Sequence, residues 1–112
     1  MTGVPQIGAL TDRVQWIKRV VTAESEGGAA QAFVPMSALW ARVRALSLRQ
    51  ARFGDGTGTG ASHSVVLRYR TDVAAGDRFT YRGRRLEVLG CEDPDGRRAW
   101  LNCRCLEREF VG

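Results

Sequence analysis

A chain of 112 residues, 44% hydrophobic and 26% charged, is sized for one small core, which excludes a two-domain enzyme. Its thirteen glycines cluster rather than recur at a fixed period, so collagen-like and repeat architectures are excluded as well. The net charge of +5 favours polyanionic partners, and it is concentrated between Arg42 and Arg70, where Arg42, Arg44, Arg49, Arg52, Arg68 and Arg70 stand against a single acid, Asp55. Lys18 is the one lysine among seventeen basic residues. Arginine suits bidentate phosphate contacts, although a GC-rich coding genome produces the same bias.

In chain order, residues 1–11 hold Gly3, Pro5 and Gly8 without sustained periodicity and are expected to form a flexible arm anchored at Ile7 and Leu10. The remainder, 12–112, is expected to form a single domain. Asp12 to Val21 alternates as a strand with Val14, Trp16 and Val20 on one face, interrupted there by Lys18. The polar, small-residue stretch around Gly27-Gly28 predicts a loop or wide turn. Phe33 to Leu46 mixes helix-forming residues with a clean alternation of Leu39, Ala41, Val43 and Ala45 against Arg42 and Arg44. The alternation decides for a strand, with Pro35 at a bend or an edge. Residues 47–62 (SLRQARFGDGTGTGAS) predict a long flexible loop between strands 2 and 3, a length that in compact domains is usually functional or disordered.

The pattern then becomes regular. Ser64–Arg70, Arg78–Arg82, Arg85–Gly90 and Arg98–Leu106 each alternate, joined by AAGD at 74–77, RGR at 82–84 and DPDG at 93–96. About six short strands with closely spaced turn signals predict an all-β fold, a small antiparallel β-barrel. No apolar run approaches the ~18 residues of a membrane span, and the first residues lack a secretory signal pattern, so no membrane partner is expected. Three cysteines, an odd number, do not make a disulfide framework and fit a reducing cytosol.

Enzyme chemistry finds no support. His63 is the sole histidine, at the junction of the long loop and a strand, with no nucleophile motif near it. The GDGTGTG run lacks the Lys-Ser/Thr and the strand-to-helix context of a phosphate-cradling loop. Cys91, Cys103 and Cys105 with His63 have zinc-binding chemistry, but Cys-x-Cys on a strand puts both sulfurs on the apolar face beside Leu101, so core packing is expected and neither metal nor cofactor. Glu92, Asp93 and Asp95 flank a tight turn, where Asp caps backbone amides. Trp16 falls on an apolar face, whereas Trp40 and Trp100 fall opposite the apolar alternation, either wedged at a barrel end or exposed at an interface. The arginines from 42 to 70 read either as a solvated face or as a phosphate-binding one.

Several features together resemble the head-tail joining family of tailed phages, the small head-closure or stopper proteins of the neck. They are Gly8-x-Leu10-x-x-Arg13-Val14 opening the first strand, Gly27-Gly28, Trp40-Ala41-x-Val43 in the second strand, and Leu67-Arg68-Tyr69-Arg70 after the long loop. Asp77-Arg78-Phe79, Arg85-Leu86-Glu87-Val88 and a closing strand ending at Cys103 complete the series over residues 7–107. The loop after the second strand is longer and more glycine-rich here than the short Gly-Glu-type signature of many members.

The resemblance implies a non-enzymatic virion protein, of a tailed phage or a phage-derived gene transfer particle, assembled in the bacterial host cytoplasm and located at the neck. It would form a homo-oligomeric ring, hexamer or dodecamer, with the portal or adaptor on the head side and the tail terminator or tail tube protein on the tail side. The loop would face packaged double-stranded DNA without sequence specificity, through Arg49, Arg52, Phe53, Gly54, Asp55, Gly56, Gly58 and Gly60. Trp40, Arg42, Arg44, Arg68, Arg70 and Trp100 would serve ring or neck interfaces. The competing reading is a monomeric nucleic-acid-binding barrel with an arginine-rich face and tryptophan stacking.

Overall fold

The structure, a computed structural model, describes residues 10–23, 27–47 and 61–109. It contains six strands: β1 (Asp12–Ala23), β2 (Ala29–Ala45), β3 (His63–Arg68), β4 (Arg78–Tyr81), β5 (Arg84–Glu92) and β6 (Trp100–Glu107). They close in the order β1-β2-β3-β6-β5-β4, every neighbour antiparallel. Closure removes the free edges within the barrel itself, where they would otherwise recruit strands from other chains. The six-stranded antiparallel barrel expected from the alternation is therefore the fold.

The alternating residues fill the barrel. Val14 and Trp16 of β1, Ala41 of β2, Val65 and Leu67 of β3, Phe79 of β4, Leu86 and Val88 of β5, and Leu101, Cys103 and Cys105 of β6 form one buried cluster with Val73. Trp16 and Phe79 are the largest fully buried side chains and sit opposite each other in the β1–β4 register, so a cross-strand aromatic pair fixes that seam. Asp12 opens β1 by accepting the Val43 amide at 2.8 Å and the Tyr81 hydroxyl at 3.1 Å, tying three strands at one end.

Left-handed backbone recurs at the turns, at Gly27, Gly76, Arg82, Gly83, Gly96 and Arg98. Arg82 (φ 48) and Gly83 (φ 79) both lie at positive φ between β4 and β5, the pattern of a two-residue type I′ hairpin turn. In the 93–96 turn Asp93 accepts the Arg98 amide at 2.8 Å and Asp95 the Arg97 amide at 3.0 Å, which is the backbone-capping role expected of these acids.

The first hairpin is longer than the sequence suggested. The stretch expected as a loop around Gly27-Gly28 keeps pairing through Thr22↔Ala30 and Ala23↔Ala29, because small residues with little strand preference of their own are carried by the ladder of a long hairpin. On its outer sides this hairpin outruns the barrel, since β1 pairs with β4 only as far as Ile17 and β2 pairs with β3 only from Ala41 onward. Residues 18–23 and 29–35 thus form a two-stranded ribbon, with Pro35 on its open edge beside the register shift between Gln15 and Ile17. Gln15 Nε2 donates to the Met36 carbonyl at 2.8 Å where the ladder is irregular.

Lys18 does not break the core. Its Nζ lies 3.2 Å from Oδ2 of Asp77 and 2.8 Å from the Asp72 carbonyl. Asp77, 1% exposed, also accepts the Trp16 indole N–H (3.0 Å), the Arg19 amide (3.0 Å) and the Ala74 amide (3.1 Å). The carboxylate takes over the β1 edge donor where the β4 ladder stops, and four donors compensate its burial. Gly76 just before it has φ +94, and Arg19 Cδ would stand 2.8 Å from a Cβ placed there.

Candidate functional site

The face of β2 opposite the core carries Trp40, Arg42 and Arg44 in succession. Trp40 is 56% exposed, the most exposed of the large hydrophobic residues among the described ones. Its ring is held by the Arg13 guanidinium, 4.6 Å from the ring centroid, on the residue paired with it across the β1–β2 ladder. Leu10, Trp40 and Arg68 line a groove of about 430 Å³ that runs into a second of about 270 Å³, whose walls add Leu39, Leu67 and Arg70. An apolar floor with an exposed indole and cationic walls is the composition of an interface centre.

The ribbon beside the groove is also apolar. Val20, Val21, Val34 and Met36 are 40–52% exposed. No Asp, Glu, Lys or Arg occurs among residues 20–23 and 29–35, in a chain that is 26% charged. Val20 and Val34 lie on one face of the ribbon and Val21 on the other, so both faces expose apolar side chains.

The expected interface residues separate into three situations. Trp40 and Arg68 share the groove. Arg70 also lines it, but its guanidinium is spent on Asp72, at 2.6 and 3.0 Å, while lying 4.7 Å from the Trp16 ring centroid; this bidentate pair holds the Asp72 carboxyl below the usual carboxylate range. Trp100 faces outward with Asn102 and Arg104 yet is only 8% exposed, opposite Arg68 in the β3–β6 register and 5.9 Å from that guanidinium. It therefore offers little free surface in the subunit.

Arg42 and Arg44 are exposed, and among the described residues no acid pairs with them. By contrast Arg84, Arg104 and Arg108 approach Glu107, Glu92 and Glu87 at 3.9, 3.9 and 3.1 Å. Among the described residues, positive charge is thus left unpaired on the β2 wall that leads toward residue 48.

The residues flanking 48–60 are fastened to the barrel. The Leu46 amide donates to the Ser62 carbonyl at 2.9 Å, the Ser62 amide to the Cys105 carbonyl at 2.8 Å, and the Glu107 amide to Ser62 Oγ at 2.7 Å. Arg49, Arg52, Phe53, Gly54, Asp55, Gly56, Gly58 and Gly60 lie outside the described residues. His63, beside Ser62, is 7% exposed, touches Ser62 Oγ through Nδ1 at 2.8 Å, and has its pKa lowered by burial, with Arg84 adding to the shift and Glu107 opposing it. Cys103 and Cys105 are fully buried core residues, as their strand face required.

Sequence reasoning missed two things here. The three indoles each carry an arginine, and Asp77 joins β1 to the 74–77 turn. The signals were a lone lysine on an apolar face and an Asp closing an Ala-Gly turn directly before a strand.

The family model for phage head completion proteins matches residues 5–109. The chain belongs to the phage head completion family. Membership makes it a structural protein of a phage-type virion. Among solved structures, protein SF1141 from Shigella flexneri 2a, known from its solution structure, is 27% identical with a TM-score of 0.72, covering 92% of this chain and 96% of that one. A chain from the virion of a native gene transfer agent particle is 20% identical with a TM-score of 0.65, covering 94% and 98%, and shares the fold. No curated protein matches the sequence.

Proposed function

We propose that this head completion barrel is the head-closure or adaptor subunit of the neck, forming a ring between portal and tail that retains packaged DNA and supplies the tail docking surface. The observation that carries the reading is the exposed Trp40 groove with its cationic walls, on a closed barrel whose first hairpin adds exposed Val20, Val21 and Val34. Along the closed wall such a subunit offers side chains for association, and copies joined by a heterologous contact close into a ring that repeats a modest interface many times. In that ring the long loop, with Arg49 and Arg52, faces the channel from its fastened flanking residues. Arg42 and Arg44 add positive charge toward it, and phosphate neutralisation there needs no base-reading element.

A monomeric single-strand binder fits less well. That activity stacks successive bases on several aromatic platforms, whereas Trp16 and Trp100 are buried and the exposed Trp40 already has Arg13 against its ring.

Complementation tests the reading. A strain lacking this gene is supplied with the Trp40→Ala variant, after the purified variant is shown to fold. Removing an exposed indole with one cation–π contact costs about 1 kcal/mol of subunit stability at most, so folding is expected to survive. Infectious titre is expected to collapse, with separate heads and tails in micrographs. Wild-type titre from folded Trp40→Ala protein would overturn the assembly role of the groove.

A further inference from the structure

The β5 strand contains an irregularity: Val88 pairs with Cys105 but Gly90 pairs with Arg104, so Leu89 is an extra residue. A bulge of this kind resets the alternation. Simple period-two counting from Leu86 and Val88 points Cys91 outward; after the bulge it packs against the core directly opposite Cys103. The two sulfurs are 3.6 Å apart, in contact and unbonded. Directly opposed residues on antiparallel strands have Cα atoms about 4.5–5.5 Å apart, inside the range a disulfide spans.

We infer that Cys91 and Cys103 form a peroxide-responsive thiol pair that closes into an intrachain disulfide when the protein meets an oxidising environment. The two thiols differ in the way such chemistry needs. Cys91 is half-buried, with Sγ 3.7 Å from the Val73 carbonyl, and contact with the Cys103 thiol lowers its pKa; Lys18 assists, while burial and Asp77 oppose. Cys103 is fully buried and its pKa is raised by the Cys91 contact and by desolvation. Cys91 is therefore the attacking sulfur and Cys103 the resolving one.

In the first step the Cys91 thiolate attacks one oxygen of hydrogen peroxide. The O–O bond breaks, hydroxide leaves and takes up a proton as water, and Cys91 becomes a sulfenic acid. In the second step the Cys103 sulfur attacks the Cys91 sulfur. The S–O bond breaks, and the departing hydroxide leaves as water with the proton that Cys103 gives up. Overall two thiols and one peroxide give one disulfide and two waters. Cys105 pairs in register with Val88 and His63, not with Cys91, and its Sγ points to the Cys103 carbonyl at 3.6 Å, so it stays a thiol.

The bond would join β5 to β6 across the 93–99 connection. Resting on the virion assignment, this means a barrel assembled reduced inside the cell and cross-linked after the particle leaves it. The chemistry itself is tested on purified protein and does not depend on where the subunit sits in the particle.

Reduced protein is exposed to hydrogen peroxide, denatured, alkylated and digested with trypsin. The three cysteines fall in separate peptides, LEVLGCEDPDGR, AWLNCR and CLER. The expected result is an intact mass lower by two hydrogens, a thiol titre falling from three to one, a reducible LEVLGCEDPDGR–AWLNCR adduct, alkylated CLER, and a Tm raised by several degrees that dithiothreitol reverses. Cys105→Ala should retain the adduct and Cys91→Ser should lose it. Unreacted thiols, sulfinic or sulfonic acid at Cys91 without the adduct, or a disulfide involving Cys105 would each overturn the inference.

Discussion

Replacing Asp77 by Asn keeps the shape of the side chain and removes its charge, which isolates what the buried carboxylate contributes. In the native protein Oδ2 accepts from the Trp16 indole at 3.0 Å, Lys18 Nζ at 3.2 Å and the Ala74 amide at 3.1 Å, while Oδ1 accepts from the Arg19 amide at 3.0 Å. An amide presents one acceptor and one donor, so at least one of these N–H groups then faces another N–H. Breaking a buried ion pair costs about 3–5 kcal/mol. Lys18 keeps 28% of its side-chain surface exposed and can turn to water, so the lower figure applies, about 3 kcal/mol. For a domain of this size that is a fall in Tm of about 10 °C. Urea and thermal unfolding followed by tryptophan fluorescence measure it directly, because Trp16 is itself a ligand of the carboxylate. A Lys18→Met background should make Asp77→Asn less costly, since the ion-pair part is already gone. A loss below about 1 kcal/mol for Asp77→Asn in the native background would refute the reasoning, because orphaned buried donors cannot be that cheap.

Other perturbations read different parts of the structure. His63 has its pKa depressed below 6.5 by burial, so the unfolded chain binds its proton more readily than the folded one; stability should fall as pH drops through 6.5 toward the folded value, and His63→Gln should flatten that part of a chemical-denaturation pH series. A slope in this range that survives His63→Gln would assign it elsewhere. Gly76→Ala should cost about 1–2 kcal/mol, from the positive φ and from displacing the Arg19 side chain, whereas Gly28→Ala, with ordinary φ and open space around it, should be near neutral in the same melts. Equal effects of the two would contradict the geometry. Reversing charge at Arg42 and Arg44 to Glu should change subunit stability by no more than about 0.5 kcal/mol each while reducing the DNA retained in particles, scored by nuclease-protected DNA per head.

The core was legible because a half-buried strand writes its burial at period two. Val65 and Leu67, Leu86 and Val88, and Leu101, Cys103 and Cys105 all face inward as their alternation required. Two features come from register, which one segment cannot display. The ribbon at 18–23 and 29–35 exists because its two strands extend each other, and the inward position of Cys91, expected from core packing of the cysteines, depends on the extra residue Leu89 opposite β6, which the alternation of β5 alone does not display. Others come from partners far away in sequence. Lys18 looked like a fault until Asp77 was beside it, and Trp100, which its face left open between wedged and exposed, is covered with Arg68 opposite it. Trp40 was read from its face alone, and that face is open. The residues expected to meet DNA lie in 49–60, outside the described residues, so their role rests on the family resemblance and the fastened residues that flank them.

The central claim, a neck ring that closes the filled head and receives the tail, is tested most directly by electron microscopy of particles from a strain lacking only this gene. Complete tails lying free beside tailless heads that have lost part of their DNA are the expected result. Intact, filled and tailed particles from that strain would contradict it.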